Sequence, residues 1–430
     1  MDDSRGLSVR GADAESIAAV DSFREGLLAM EGGLDGIVDA AERAPGCALL
    51  QVYAALFFLY AGTREGNAEA ARWLHRAAPV MQGVSGREGQ FFSAGKLWID
   101  DDLEGAMQGL EQITSEYPRD LVAAKTCEFL YYLTGQHRAG PRYRAQMERL
   151  VPHNQDEAEV FGMYAFSLEL DGEYEEARRQ ADRALTLRYE SAWTHHALAH
   201  AALVTDDLVR GRREQESFLA SWTHPPFSIH GHNAWHLALL RLLDGDHEGA
   251  LELFRDVIWG QTPESCSEQV DAISLLWRME MAGLEVEESI WSEVGEACAS
   301  LSGEAMNPFV TAHHAHALAR VGRDEDVTRL RQAVEHSAKE QPKARRAVWE
   351  QAGIPVVDAA IAWGRRDAPG VVECLEPAIR EVPRVGGSDA QDDLFRLALL
   401  RALEKMWRTE SMRALLDLFP GTRKPNSQFI

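Results

Sequence analysis

The sequence has few cysteines and no long apolar run. Its five cysteines (Cys47, Cys127, Cys266, Cys298 and Cys374) are far apart and form no Cys-x-x-Cys pair, so we expect reduced and mostly buried thiols. The most apolar run, residues 47–61, is too short to span a bilayer. Residues 1–13 carry charges and lack the apolar core of a secretory signal. We therefore predict a cytoplasmic protein.

Basic residues are also scarce. Lys and Arg number 44 against 68 Asp and Glu, which gives a formal net charge of -24. Because nucleic acids and anionic membrane surfaces are themselves negative, this balance predicts neither a nucleic-acid partner nor a membrane partner. A hydrophobic fraction of 45% and a charged fraction of 26% are typical of a soluble globular chain.

Alternation of apolar and polar residues with a period of two is absent, so we expect no strands. Apolar residues instead recur at helical spacing, in segments that end at Gly, Pro or Asp-rich breaks. The predicted helices before residue 134 span 15–30, 35–43, 47–61, 67–80, 91–99, 103–116 and 121–133. The pattern predicts an all-α protein.

A repeat of helix pairs becomes recognisable after residue 160. Gly172-x-Tyr174-x-x-Ala177 marks a tight turn between two amphipathic helices and resembles the tetratricopeptide repeat. Positions equivalent to Ala177 recur at steps of 34 to 39 residues, at Gly211, Ala250, Glu288 and Val327. The longer steps predict inserts such as residues 223–227. Because one helix pair cannot bury its apolar face alone, we predict an α-solenoid of degenerate tetratricopeptide-like pairs with a concave face.

These patterns divide the chain into four regions. We predict a flexible N-terminal tail over residues 1–14 and an N-terminal helical region over 15–150. The tetratricopeptide-like repeats with most of the histidines occupy 151–340, and a C-terminal helical region covers 341–430.

Histidine is concentrated in the central repeats, where eleven of the fifteen histidines lie between residues 195 and 316. Two His-x-x-x-His pairs stand out, His196 with His200 and His232 with His236. A four-residue step puts both imidazoles of a pair on one helix face. With the repeats in register, the inward-facing helices of neighbouring pairs predict that these side chains converge on one pocket.

Six spaced segments between about residues 150 and 405 carry a family resemblance. They are Gly162-Met163-Tyr164-Ala165-Phe166, Ala192-Trp193-x-x-His196-x-x-x-His200, His232-Asn233-x-Trp235-His236, Val270-Asp271, Ala312-His313 and Gly386-Gly387-Ser388-x-Ala390-Gln391-x-Asp393-x-Phe395. In these residues the chain resembles the tetratricopeptide repeat protein 38-like family. The resemblance implies an all-helical solenoid and places five histidines in family motifs, but it implies no reaction.

The paired histidines favour two functional interpretations. In the first, His196, His200, His232 and His236 bind a divalent metal such as zinc, and His313 or Asp271 completes the ligand set. The His-Glu-x-x-His motif of zinc hydrolases is absent, since residues 197–199 are Ala-Leu-Ala. In the second, the same histidines act as acids and bases without a metal, and Asp271 orients one imidazole. The structural alternative is that these histidines satisfy buried helix ends and each other.

Several neighbours are candidates for contact with a ligand. The aromatic candidates are Trp193, Trp235, Trp277 and Tyr164, with core packing as the alternative for the tryptophans, and Asn233 is a hydrogen-bonding candidate. A helix that starts near His232 favours a small molecule with a carboxylate. Ser388 and Gln391 instead predict a capping box before a helix over 393–405, because the lysine and strand of a phosphate-binding loop are missing.

The sequence therefore favours a metal- or histidine-dependent hydrolase or lyase with a histidine-lined internal pocket for a small molecule. The catalytic candidates are His196, His200, His232, His236, His313 and Asp271. The alternative is a non-enzymatic scaffold that binds a peptide or partner protein on its concave face. A homo-oligomer is compatible with both.

Overall fold

A computed structural model describes residues 1–30, 32–222, 229–305 and 307–419. Within these ranges the chain is helical, with no named strand and one isolated bridge between Asp2 and Ser8. The prediction of an all-α solenoid built from tetratricopeptide-like helix pairs is confirmed. None of the described helices is long and apolar enough to cross a membrane. The predicted insert at 223–227 lies outside the described residues.

The described helices belong to two compact units. The first unit comprises residues 1–134 and 139–194, and the second comprises 135–138, 195–222 and 229–419, apart from the few positions that are not described. The first unit thus combines the predicted N-terminal region with the start of the predicted repeat region.

In the first unit, consecutive helices pack in pairs, α3 on α4, α5 on α6 and α9 on α10. The helices are α1 (Ala14–Ala29), α2 (Gly36–Arg43), α3 (Ala48–Leu59), α4 (Arg64–Ala77), α5 (Arg87–Ile99), α6 (Leu103–Glu116), α7 (Leu121–Thr134), α8 (Gly140–Leu150), α9 (Ala158–Leu170) and α10 (Tyr174–Leu187). Helix α5 begins at Arg87 rather than at residue 91, since its polar first turn is held by a buried ion pair from Arg87 to Asp120 at 2.9 Å.

The N-terminal segment contacts the rest of the first unit. Val9 is buried, and Arg5 Nη2 donates a hydrogen bond to Asn154 Oδ1 at 2.7 Å. The flexibility predicted for residues 1–14 stays a prediction.

In the second unit, successive helices that pack on one another carry the central histidines. Helix α11 (Ala192–Thr205) starts in the first unit and continues into the second. The others are α12 (Leu208–Phe218), α13 (His230–Leu243), α14 (His247–Leu253), α15 (Cys266–Met281), α16 (Glu288–Ala299), α17 (Pro308–Arg320), α18 (Asp324–Glu340), α19 (Lys343–Val348), α20 (Ile354–Gly364), α21 (Ala368–Ala378), α22 (Asp389–Lys405) and α23 (Thr409–Leu418). Helix α13 packs on α15, α15 on α17 and α17 on α20, while α22 packs back onto α15.

Glycine sets the turns and the spacing of the helix pairs, as the repeat pattern predicts. Gly172 has a φ of 83°, in the left-handed region that favours glycine, and it links α9 to α10. Gly211 stands on α12 where Ala177 stands on α10, and a Cβ built there would lie 2.4 Å from the Cβ of Ala202. The helices α11 and α12 therefore approach as closely as their backbones allow.

The capping box predicted from Ser388 and Gln391 is present, and Gln391 Oε1 accepts a hydrogen bond from the Ser388 N–H at 3.0 Å. The helix begins at Asp389 rather than at residue 393, because the cap directly precedes the first turn. This start places Asp389 in the first turn of α22, close to His200 on α11.

Candidate functional site

Four imidazoles from two helices form one cluster in the second unit. Helix α11 contributes His196 and His200, whose ring centroids are 4.5 Å apart, and α13 contributes His232 and His236 at 4.7 Å. Between the helices, His196 lies 5.2 Å from His232 and 5.0 Å from His236. His200 lies 4.6 Å from His236. We call these four residues the histidine cluster.

Three members of the histidine cluster are arranged so that they could hold one metal ion. His196, His232 and His236 each offer a ring nitrogen, and these nitrogens lie within 4.8 Å of one another. Tetrahedral zinc with bonds of about 2.0–2.1 Å needs its ligand nitrogens about 3.4 Å apart, so a modest rotation of the rings would close the set. Three histidines with a fourth position open to water are a common ligand set of catalytic zinc.

A carboxylate fixes the orientation of His232. Its Nδ1 lies 2.9 Å from both Oδ1 and Oδ2 of Asp271, which projects from α15 and is buried. Since the carboxylate accepts, Nδ1 carries the proton and Nε2 keeps its lone pair. Histidines that bind metals are usually held by a carboxylate or carbonyl in this way.

A second carboxylate holds His200. The Nδ1 of His200 lies 3.2 Å from Oδ1 of Asp389, and both side chains are fully buried. The sequence pattern predicts only a helix cap in this segment, and Asp389 is not among the predicted site residues. The resemblance segment 386–395 spans position 389 but leaves it unmatched, so it indicated only the neighbourhood of Asp389.

His236 is the member of the histidine cluster that packs against other rings but makes no hydrogen bond among the described residues. It is fully buried, and among the described residues neither of its ring nitrogens has a hydrogen-bond partner. Burial lowers the pKa of His236 well below its usual range, and the neighbouring imidazoles and Arg278 oppose its protonation further. His236 is therefore neutral, the form of histidine that binds metals.

His232 is the member of the histidine cluster that solvent reaches. Its side chain is 16% exposed, whereas those of His196, His200 and His236 are buried. Trp235 borders the cluster, with its ring stacked on His232 at 5.1 Å and 4.8 Å from the ring of His236.

The structure places His313 apart from the histidine cluster. Its Nδ1 donates to the carbonyl oxygen of Phe309 at 2.8 Å, and its ring packs against Phe309 and Phe395. Burial lowers the pKa of His313 to about 3. Nearby, Trp277 stacks on His316 with ring centroids 3.9 Å apart, the packing expected of core residues.

The other ligand candidates are divided between the units. Asn233 is buried on α13 in the second unit. Trp193 lies in the first unit, where Lys125 Nζ is 3.3 Å from the centre of its ring. Tyr164, on α9, is also in the first unit and half-buried.

Arg278 is a second residue that the sequence analysis missed. It lies on α15 seven residues after Asp271, two turns along the same helix face. Its Nη2 donates to the carbonyl oxygen of Ala390 at 2.6 Å, its Nη1 donates to Ser274 Oγ, and its Cζ lies 5.5 Å from the centre of the Trp235 ring. Burial lowers the pKa of Arg278 to about 9, while the charge of Asp271 acts in the opposite direction.

No protein-family model matches the chain. Among solved structures, a monomeric mutant of IFIT1 with Gppp-AAAA is similar at 13% identity, covering 95% of this chain and 94% of that one, with a TM-score of 0.41. A human IFIT1 dimer with PPP-AAAA is similar at 14% identity, covering 95% and 92%, with a TM-score of 0.42. The P58(IPK) TPR domain is similar at 13% identity, covering 92% and 99%, with a TM-score of 0.21.

At a coarse level these similar structures are tetratricopeptide-repeat proteins, and this chain has a helical-repeat fold of the same type. The prediction that excluded a nucleic-acid partner is wrong, because the IFIT1 structures contain capped and triphosphate RNA. That prediction used the net charge, which sums over the whole chain, whereas phosphate recognition depends on the local arrangement of cations.

Proposed function

We propose that the second unit binds a divalent transition-metal ion, with zinc as the simplest case, and uses it in hydrolytic or lyase chemistry on a small molecule. His196, His232 and His236 would be the ligands. One observation carries the proposal: three ring nitrogens lie within 4.8 Å of one another, and one of the rings is already oriented by Asp271.

The proposed chemistry follows from the ligand set. A metal held by three imidazoles supplies a bound water whose pKa falls to about 7, so that hydroxide is available at neutral pH. Asp271 holds His232 with Nε2 directed away from the carboxylate. His200 would accept or release a proton beside the ligands, with Asp389 stabilising its charged form. Trp235 would form an apolar wall next to the reacting group.

We further propose that the chain belongs with the tetratricopeptide repeat protein 38-like proteins and acts in the cytoplasm. The family proposal is supported by where the resemblance residues lie, since His232 belongs to the histidine cluster and both Trp235 and Asp271 contact it. The compartment is supported by the thiols, because Cys47, Cys127 and Cys298 are free and buried.

A metal titration tests this function. The full chain, stripped with a chelator and titrated with zinc in a calorimeter, should bind one equivalent. His236→Ala should weaken binding by more than about 100-fold, because changes to groups that only support a ligand already cost 10–100-fold. The matched control is His247→Ala, an exposed histidine on α14 that should bind as tightly as the wild type.

The opposite result would favour the scaffold. If the wild type binds no metal, or if His236→Ala binds zinc as tightly as the wild type with unchanged helicity by circular dichroism, the proposed metal centre is wrong. The favoured function would then be that of a repeat protein that binds a peptide or partner protein on its concave face.

A further inference from the structure

Buried arginines in this protein are normally paired with a carboxylate. Within the described residues, four of them lie beside an aspartate, in the pairs Arg5–Asp156, Arg24–Asp21, Arg87–Asp120 and Arg396–Asp393. Arg278 is as deeply buried, at 5% exposure, yet no described carboxylate lies within the 4.0 Å of an ion pair. A buried guanidinium without a counter-ion is costly, so this exception calls for an explanation.

The contacts of Arg278 hold it in place without neutralising it. Nη1 donates to Ser274 Oγ, and Nη2 donates to the carbonyl oxygens of Ala390 and Gln391 at 2.6 and 3.5 Å. All of these acceptors are uncharged. The pKa of Arg278 falls to about 9 on burial, which still leaves the side chain positive at neutral pH. The guanidinium is thus a fixed positive charge between α15 and α22.

This charge lies next to the histidine cluster. Trp235 contacts both, with its ring centre 5.5 Å from Arg278 Cζ and 4.8 Å from the ring of His236. Asp271, whose charge also acts on Arg278, is already hydrogen-bonded to His232.

We propose that Arg278 binds an oxyanion of the substrate, a phosphoryl or carboxylate group, beside the metal ligands of the second unit. The inference rests on the proposed function and narrows its substrate to an anionic small molecule. A guanidinium presents two parallel N–H donors that match the oxygens of a phosphoryl or carboxylate group. A bound oxyanion would therefore be the counter-ion of Arg278, which has no carboxylate partner among the described residues. With its anionic group at Arg278, the substrate would have the bond to be cleaved close to His196, His232 and His236.

Calorimetry with two simple anions tests the proposal. Inorganic phosphate and acetate are titrated separately into the zinc-loaded full chain at constant ionic strength. At least one should bind, and Arg278→Gln should weaken that binding by about tenfold or more, since hydrogen bonds to charged groups are worth that much. Arg365→Gln is the matched control, because Arg365 is a half-exposed arginine of the same unit and should not affect binding.

The two anions and the metal state separate the outcomes. Phosphate binding alone identifies a phosphoryl substrate, and acetate binding alone identifies a carboxylate. If zinc binds but neither anion does, or if Arg278→Gln binds them as tightly as the wild type, the anion site is wrong and the metal centre stands. If no zinc binds but chelator-treated protein still binds an anion through Arg278, the anion site stands and the metal centre is wrong.

A second variant covers the case in which Arg278→Gln does not fold. Arg278→Lys keeps the charge but loses the planar fork, so it should bind the anion several-fold more weakly than the wild type. An unchanged affinity in a folded Arg278→Lys protein would overturn the role of the guanidinium.

Discussion

The two units differ in how particular buried charged and ionisable side chains are satisfied. In the first unit, buried Arg87 pairs with Asp120 at 2.9 Å and buried Lys125 pairs with Glu128 at 3.2 Å. In the second unit, His236 has no partner for either ring nitrogen among the described residues, and Arg278 has no ion pair there. Both units are built from the same kind of helix pair.

The difference supports the placement of the proposed site in the second unit. A buried pair contributes to the structure of its surroundings, and little remains for a ligand to satisfy. A buried group without a partner weakens the fold, so its presence indicates that something else supplies the partner. The fold type alone therefore does not locate the proposed chemistry, and the proposal depends instead on the surroundings of His236 and Arg278.

The largest effect is expected from breaking a pair in the first unit. Asp120→Ala leaves Arg87 buried without a counter-ion and should lower the free energy of unfolding by about 3–5 kcal/mol. Urea denaturation measures the change, and zinc affinity should be unaffected. Arg72→Ala breaks the exposed pair with Glu69 and should cost less than about 1 kcal/mol. Equal costs for the two variants would contradict the structural role of the buried pair.

The next largest effect concerns the support of His232. Asp271→Asn removes the carboxylate that orients the ring and should weaken zinc binding by about 10–100-fold while leaving helicity unchanged. Competition with a fluorescent zinc chelator gives the affinity. Asp256 is an exposed aspartate of the same unit and provides the control Asp256→Asn, which should bind zinc as tightly as the wild type. Wild-type affinity in Asp271→Asn would remove His232 from the ligand set.

A smaller effect should appear in the stability of the metal-free protein. His236→Leu replaces an unpartnered buried imidazole with an apolar side chain, so it should raise the free energy of unfolding by about 1–2 kcal/mol. Urea denaturation in the presence of a chelator measures this gain. A loss of stability would mean that the imidazole supports the fold, as the pairs of the first unit do.

The smallest effect is a difference in pH dependence between the units. Burial raises the pKa of Glu159, in the first unit, to about 7 from a usual 4.5, so its contribution to stability falls as the pH rises from 4.5 to 7. Burial lowers the pKa of His313, in the second unit, to about 3 from 6.5, so its contribution falls as the pH drops from 6.5 to 3.

Substitutions isolate these two contributions. Glu159→Gln should raise stability at pH 8 relative to pH 5 by an amount on the order of 1 kcal/mol, and His313→Phe should flatten the decline below pH 6. Urea denaturation across this pH range measures both. Parallel pH profiles for Glu159→Gln and the wild type would mean that Glu159 is ionised in the folded state at neutral pH.

Much of the fold was predictable because its signals are local. Helical periodicity and Gly172 predict the helix pairs, and the four-residue step predicts that His196 and His200 share a face. The polar start of α5 was missed because a distant carboxylate, Asp120, holds it.

The neighbours of a site residue could be predicted only where equivalent positions of successive repeats lie side by side. His232 and Asp271 meet because α13 and α15 are adjacent repeats in register. His313, two repeats beyond His236, lies against Phe309 and Phe395 instead. Asp389 and Arg278 were missed because they depend on the return of α22 onto α15, a long-range contact that no local pattern encodes.

The packing of α22 onto α15 also determines at which point of translation the surroundings of His200 and Arg278 can be completed. A ribosome completes both histidine pairs long before it reaches Asp389 and the carbonyl of Ala390, which support His200 and Arg278. A nascent chain that has exposed only its repeats carries the imidazoles but lacks these two supports. The contacts of Asp389 with His200 and of Ala390 with Arg278 can therefore form only after the start of α22 has been translated.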